Sequence, residues 1–157
     1  KKNNNILQEV DNVKGFAMFL NIPEFKDVGF FDSNFFIYFE EIDLCRRVKL
    51  RQKKIYIDPS IRIFHPGGSS HDEEINEVME FSRNWHWMWS TFYYNKKYNG
   101  YIFALITIMP KLFSSFVKTI FYAVCMNKFK SKIYFQRMSG IVNSIIGKKS
   151  WYRPKVL

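Results

Sequence analysis

Acidic residues are absent after residue 100 of this 157-residue chain, and glycine, proline and cysteine are scarce throughout. The seven glycines show no G-x-G-x-x-G spacing, which excludes the common glycine-rich phosphate loop. Cys45 and Cys125 lie far apart without a C-x-x-C pair, so two free thiols in a reducing cytosol fit better than a disulfide or a zinc site. Residues 101–157 hold ten basic residues, whereas 14 basic and 14 acidic residues balance in residues 1–100. The whole net charge of +10 therefore lies in the tail, and it requires an anionic partner.

Apolar content is high, since 47% of the residues are hydrophobic and 19% are aromatic. This is enough for a packed core, and it excludes a disordered chain. Apolar runs predict short strands at residues 13–20, 35–39, 55–57 and 61–63. Periodic apolar residues predict a helix from Ile42 to Leu50 and a long one from Asp72 to Asn99, whose aromatic stripe we interpret as packing. The first hundred residues thus have the pattern of an α/β fold.

Three carboxylates occupy four positions in Glu40-Glu41-Ile42-Asp43, directly after the apolar run 35–39. A strand would carry them to its end, where they could point into a cleft while the chain turns into a helix. That position suits a catalytic base. Acids in the first turn of a helix also complement its dipole without any chemistry, so both interpretations stay open on these residues alone.

Further landmarks follow one another in a fixed order, in segments 15–20, 28–32, 35–47, 57–59 and 65–70. In order and spacing they resemble the acceptor-side half of family 2 glycosyltransferases, and the nearest likeness is to the rhamnosyltransferase-like branch that builds bacterial surface polysaccharides. The resemblance is looser from residue 80 to residue 154, where Arg83 and Ser139-Gly140 fit the usual tail. The family more often has Asp at the position of Glu41, and Glu41 keeps the carboxylate on a longer arm. Gln52 replaces a usual Gly, so we expect a turn there that avoids positive φ.

The resemblance implies the C-terminal part of a GT-A fold, of the α/β class, followed by a helical, amphipathic and basic tail. It implies inverting transfer of a sugar from a nucleoside-diphosphate-sugar donor to a saccharide or lipid-linked acceptor in surface polysaccharide synthesis. Complete transferases begin with a nucleotide-binding half that ends in Asp-x-Asp. Neither is present here, so we expect a C-terminal portion of a longer protein. Residues 1–100 would form the acceptor-side part and residues 101–157 a membrane-associating tail.

The resemblance also assigns roles to the acids. Glu41 would be the catalytic base, because the second acid of the pair occupies this position in the family. Glu40 and Asp43 would shape the acceptor site or hold the base, with Arg46 or Arg47 as counter-charges.

The leaving diphosphate requires a stabiliser, and the resemblance implies a divalent cation, Mg²⁺ or Mn²⁺. His65 is the candidate metal or diphosphate contact, although a lone histidine is more often structural. Ser69 is a candidate phosphate donor through its backbone amide. Arg83 could reach the diphosphate, with an exposed helical arginine as the alternative interpretation.

The tail begins with the uncharged run 101–109, and Pro110 and two lysines interrupt its apolar stretch. We therefore expect an amphipathic helix over 111–126 that lies in the plane of an anionic membrane, on its cytoplasmic face, and does not cross it. The alternative is a helix packed on the catalytic domain with its lysines in water. Nucleic acid is not expected as a partner, because no recognition motif accompanies the basic residues. A competing function is a non-catalytic, basic, amphipathic membrane-binding module whose acids only cap a helix.

Overall fold

The computed structural model describes residues 6–65 and 75–153. Contacts divide these residues into two units, and the boundary is not at residue 100. The first unit contains residues 6–33 and 39–65, and the second contains residues 34–38 and 75–153. The short segment 34–38 therefore belongs with the long helices that follow it much later in the chain.

The first unit is built on one helix and a minimal sheet. Its elements are strand β1 (Gln8–Val10), a 3₁₀ helix (Ile22–Phe25), helix α1 (Glu40–Leu50) and strand β2 (Ile55–Ile57). The two strands pair antiparallel, with Val10 opposite Ile55. Leu44 and Val48, one turn apart on α1, pack with Val28 to form a small buried core. This core fixes the first turn of α1, which carries the acids.

The second unit consists of helices α2 (Asn76–Asn99), α3 (Tyr101–Val124) and α4 (Lys128–Ile145). Gly100 separates α2 from α3 at a φ of +86°, a value that suits glycine, and Asn127 caps α4 by accepting a hydrogen bond from the Lys130 amide. Met88, Phe92, Ala104, Ile108 and Ile141 form the core that the three helices share.

The predicted α/β class with a GT-A fold is wrong for the described residues, which form four α-helices and a single two-stranded sheet. Only the predicted strand at 55–57 is confirmed, while residues 13–20, 35–39 and 61–63 form none. In the run 35–39, Phe35 packs edge-on against Tyr93 and the carbonyl of Ile37 accepts a hydrogen bond from Ser90 of α2. A short apolar run that packs on a helix has the same composition as a buried strand, so periodicity could not separate them.

The helix predictions are confirmed for the shorter helix, which begins two residues earlier than expected, and for the C-terminal end of the longer one. Its predicted start at Asp72 lies outside the described residues. The expectation for Gln52 is wrong, because this residue has a φ of +57° in the turn after α1. A residue other than glycine in the left-handed conformation costs about 1 kcal/mol. The turn nevertheless keeps the geometry that a glycine would favour.

Helix α3 runs without a break through Pro110, so it begins ten residues before the helix that was expected over 111–126. On its inner side Ala104, Ile108 and Ser115 are buried, and Lys118 Nζ lies 5.1 Å from the ring centre of Tyr134 on α4. Its outer side is apolar and exposed, with Ile102, Phe103, Ile106, Phe113, Phe116, Val117, Ile120, Phe121 and Val124. The helix is long and apolar enough to cross a membrane by length and composition.

Candidate active site

The acids lie where α1 starts, and the backbone before them is strained. Tyr38 and Phe39 both have left-handed backbone conformations, with φ of +68° and +72°. Each costs about 1–2 kcal/mol for a residue that is not glycine. The carbonyl of Phe39 accepts the first hydrogen bond of the helix, from the amide of Asp43 at 2.8 Å. Strain of this kind is often found at functional sites, where it fixes the direction of the side chains that follow.

Glu40 and Glu41 each present one carboxylate oxygen, Oε2, that is buried and has no hydrogen-bond partner among the described residues. Burial raises the pKa of Glu40, and the nearby charge of Glu41 adds to the rise, while a hydrogen bond with its own backbone amide partly opposes it. A buried carboxylate oxygen without a donor is costly. Such an atom is suited to accept a proton, or a hydroxyl donor, from a ligand.

A glycine brings the backbone close to Glu41. A Cβ atom built on Gly15 would lie 3.4 Å from the Cβ and 3.8 Å from the Cδ of Glu41. The next residue, Phe16, stacks on the ring of His65 with the ring centres 5.1 Å apart and the planes nearly parallel. Glu41 and His65 therefore contact adjacent residues of the same segment. These two predicted site residues are 24 positions apart in sequence, and the segment at residues 15–16 lies beside both of them.

The side chain of Asp43 is fully buried. Its carboxylate accepts a hydrogen bond from Arg47 Nε at 2.8 Å. The guanidinium of Arg47 in turn donates to the backbone carbonyls of Val28, Gly29 and Phe30. This ion pair ties α1 to the loop after the 3₁₀ helix. Arg47 is thus the counter-charge of Asp43, and the contacts of Asp43 position the helix.

Arg83 lies in the second unit, on α2, and its guanidinium pairs with Glu80 at 2.9 Å. Together with Asn84, Trp87 and Tyr38 these residues line an open depression of about 290 Å³. Arg83 therefore pairs with a carboxylate of its own helix. Ser69 lies outside the described residues.

The described residues contain no group of three or more His, Cys, Asp or Glu side chains that could hold a metal ion. His65 alone does not make a site, so the described residues do not fit a complete divalent-cation site. Both cysteines are free, as expected, and burial raises the pKa of the Cys45 thiol, which keeps it protonated and unreactive.

Sequence reasoning missed the depression around Trp87. The signal was present, because Trp87 is two positions from both Trp85 and Trp89 and cannot share their face of the helix. Trp85 and Trp89 are buried, as predicted for the packing stripe, and Trp87 is 43% exposed. An aromatic residue outside the apolar stripe of a helix indicates a surface site. The aromatic residues within the stripe indicate only packing.

Comparison with family models, with curated proteins and with solved structures finds no match for this chain.

Proposed function

We propose that this chain acts in glycosyl transfer, as the acceptor-side part of an inverting glycosyltransferase in which Glu41 is the general base. The buried, unpartnered Oε2 atoms of Glu40 and Glu41 at the start of α1 carry the proposal. Acids that only cap a helix end are normally solvated or bonded to its amides. The proposal concerns the reaction and the residues, and it does not depend on the α/β fold that the structure excludes.

In the proposed reaction, a hydroxyl of the saccharide or lipid-linked acceptor donates a hydrogen bond to Glu41. Its oxygen attacks the anomeric carbon of the nucleoside-diphosphate-sugar, and the proton passes to the carboxylate as the new carbon–oxygen bond forms. The bond to the diphosphate breaks at the same time, and the diphosphate leaves with the electron pair. Glu40 lies beside the base at the start of α1, with one carboxylate oxygen buried.

A divalent cation is expected to stabilise the leaving diphosphate, and this remains a prediction for the assay. The described residues offer no complete set of ligands for it. His65, stacked on Phe16, is the residue to test for a contact with metal or diphosphate.

The test is the variant Glu41→Gln in the full-length natural protein, assayed by release of nucleoside diphosphate with Mg²⁺ or Mn²⁺ present. We expect turnover to fall by roughly 10²–10⁴-fold, the usual contribution of a general base, with unchanged donor binding. Glu9→Gln is the matched control, because Glu9 is a partly exposed acid of the same unit that pairs with Lys54. Near-full activity of Glu41→Gln would overturn the assignment, and a loss confined to Glu40→Gln would move the role to its neighbour.

A second candidate function, association with an anionic membrane surface, is favoured by the outer side of α3. That side exposes a continuous apolar surface next to a tail that has ten basic and no acidic residues. We propose that α3 lies in the plane of the membrane on its cytoplasmic face. A spanning α3 would place Lys111 near the bilayer centre, at a cost of about 2.5–3.5 kcal/mol, and would bring Lys118 into the hydrocarbon as well. An in-plane helix with its apolar outer side toward the lipid keeps both ammonium groups out of the hydrocarbon.

A further inference from the structure

The depression on α2 has an aromatic wall that packing does not explain. Trp87 is 43% exposed, although the tryptophans two residues before and after it are buried. Its ring is held edge-to-face against Tyr38, with ring centres 5.2 Å apart and planes at 82°. An exposed indole that is fixed in direction offers a ligand a flat apolar surface at little cost in side-chain entropy.

The other wall is polar and already ordered. Glu80 Oε2 accepts a hydrogen bond from Arg83 Nε at 3.0 Å, and the terminal nitrogen of the same guanidinium forms an ion pair with this oxygen at 2.9 Å. Its second oxygen, Oε1, accepts one from Asn84 Nδ2 at 2.6 Å. Both oxygens of the carboxylate are therefore anchored, so three planar polar groups hold a fixed arrangement before any ligand arrives.

The charges of this wall decide the class of ligand. The Arg83 guanidinium is neutralised by Glu80, so the site has no net charge, and a diphosphate would have to approach a carboxylate. A neutral polyhydroxylated ring fits better. Its hydroxyls can form hydrogen bonds with the polar side chains of the depression, while its C–H face lies on the indole of Trp87. The volume of about 290 Å³ is at the lower end of small-molecule sites and suits one or two sugar residues.

We infer that the depression formed by Tyr38, Glu80, Arg83, Asn84 and Trp87 is a binding site for a neutral saccharide, in which the sugar stacks on Trp87. The inference goes beyond the proposed transfer reaction, because the site would bind a sugar whether or not the chain transfers one. It also replaces the predicted diphosphate role of Arg83 with the positioning of Glu80.

The test follows the indole N–H resonances of the four tryptophans by NMR, with the whole chain in phospholipid nanodiscs, since maltoside detergents carry sugars of the class under test. The probes are L-rhamnose, D-glucose, D-galactose and N-acetyl-D-glucosamine, each raised to roughly ten times a millimolar Kd. At least one sugar should shift Trp87 in a saturable way. The indoles outside the depression serve as internal controls, and each donates to a known partner: Trp85 to Ser139, Trp89 to Lys148 and Trp151 to Asn143.

Two variants sharpen the result. Trp151→Phe removes an exposed tryptophan outside the depression and should leave the sugar-dependent shift of Trp87 intact. Glu80→Gln removes the negative charge, so the sugar should bind at least tenfold more weakly and inorganic pyrophosphate should now shift Trp87. In the unsubstituted protein, a shift of Trp87 by pyrophosphate, or no shift with any of the four sugars, would overturn the inference. Glu41→Gln should leave the sugar response unchanged, which separates this site from the proposed base.

Discussion

The imidazole Nε2 of His86 lies 2.8 Å from the backbone carbonyl oxygen of Tyr152. A carbonyl can only accept, so Nε2 carries the proton and donates, and Nδ1 is buried without a partner among the described residues. Trp85 and Phe36 enclose the ring, each with ring centres 4.8 Å away. This contact fixes the segment after α4 onto the middle of α2, and it holds the histidine in its neutral form.

The first prediction concerns acid stability. Burial lowers the pKa of His86 from 6.5 to about 4, the charge of Arg153 adds to the fall, and the hydrogen bond to Tyr152 opposes it. The unfolded chain therefore binds a proton between pH 6.5 and pH 4 that the folded chain rejects. Stability should fall as pH drops through this window and level off below it, by about 3 kcal/mol in all. Urea unfolding at a series of pH values measures the loss.

The variant His86→Gln separates the contribution of His86 to acid stability from that of the carboxylates, which also titrate in acid. Glutamine can still donate to the Tyr152 carbonyl but does not titrate. The difference in unfolding free energy between the two proteins should narrow from pH 7 to pH 4. Parallel curves would show that His86 does not contribute to the acid response.

The second prediction concerns Gly140, at the closest approach of α4 to α2. A Cβ atom there would lie 2.2 Å from the backbone oxygen of Trp85. Gly140→Ala must push the two helices apart, and we expect a loss of about 2–3 kcal/mol in unfolding free energy. Val142→Ala, on an exposed position of the same helix, is the control and should change stability little. An alanine variant as stable as the original would mean that the helices can separate freely.

The third prediction concerns the Asp43–Arg47 pair. Asp43→Ala leaves the guanidinium of Arg47 without its carboxylate in a partly buried place, and removing one partner of a buried pair costs about 3–5 kcal/mol. Thermal unfolding followed by circular dichroism measures the effect. Because the role is structural, the double variant Asp43→Ala with Arg47→Met should recover part of the loss. If the single variant keeps its stability and loses transfer activity alone, Asp43 belongs to the chemistry after all.

The fourth prediction concerns the membrane. Vesicles with anionic lipid should bind the chain more tightly than neutral ones, and salt should weaken this binding without abolishing it. Replacing Lys111 and Lys118 with Gln should cost about 1 kcal/mol for each lysine at low salt. Replacing Lys14 and Lys26, exposed lysines of the first unit, is the matched control and should have little effect.

A thiol reagent then distinguishes the two orientations of α3. Cys125 is exposed directly after α3, and the other cysteine is buried. With chain added outside sealed vesicles, an in-plane α3 leaves Cys125 open to an impermeant maleimide. Protection of Cys125 until the vesicles are lysed would indicate a spanning helix. Failure to bind vesicles of any composition would contradict the membrane proposal itself.

The helices could be predicted because their signals are local. The apolar spacing of α1 and α2, and the Asn99-Gly100 end of α2, depend on neighbours within a few residues. The fold class could not be predicted, because it depends on where the run 35–39 packs. That run has the composition of a strand, but two left-handed residues end it and the carbonyl of Ile37 accepts a hydrogen bond from α2. The start of α3 could not be predicted from Pro110 either. One proline removes one hydrogen bond of the helix, and packing against α4 can offset that loss.

The candidate site could likewise be predicted only where its signals are local. Residue types and order placed Glu40 and Glu41 directly before a helix from Ile42, and in the structure that helix begins two residues earlier, at Glu40. The burial of one oxygen on each, the approach of Gly15, and the withdrawal of Asp43 into an ion pair depend on contacts between distant segments. The depression around Trp87 also depends on Tyr38, which is 49 positions away, so the local spacing of the tryptophans indicated an exposed indole but not the depression.

The outward apolar side of α3 decides how the protein must be handled. Phe113, Phe116 and Phe121 face outward in the isolated chain, so in plain buffer copies would cover this surface by aggregating. Expression without detergent should give inclusion bodies or large soluble aggregates in place of monomer. A mild non-sugar detergent present from cell lysis onward is therefore a condition for every measurement described above that does not start from lipid.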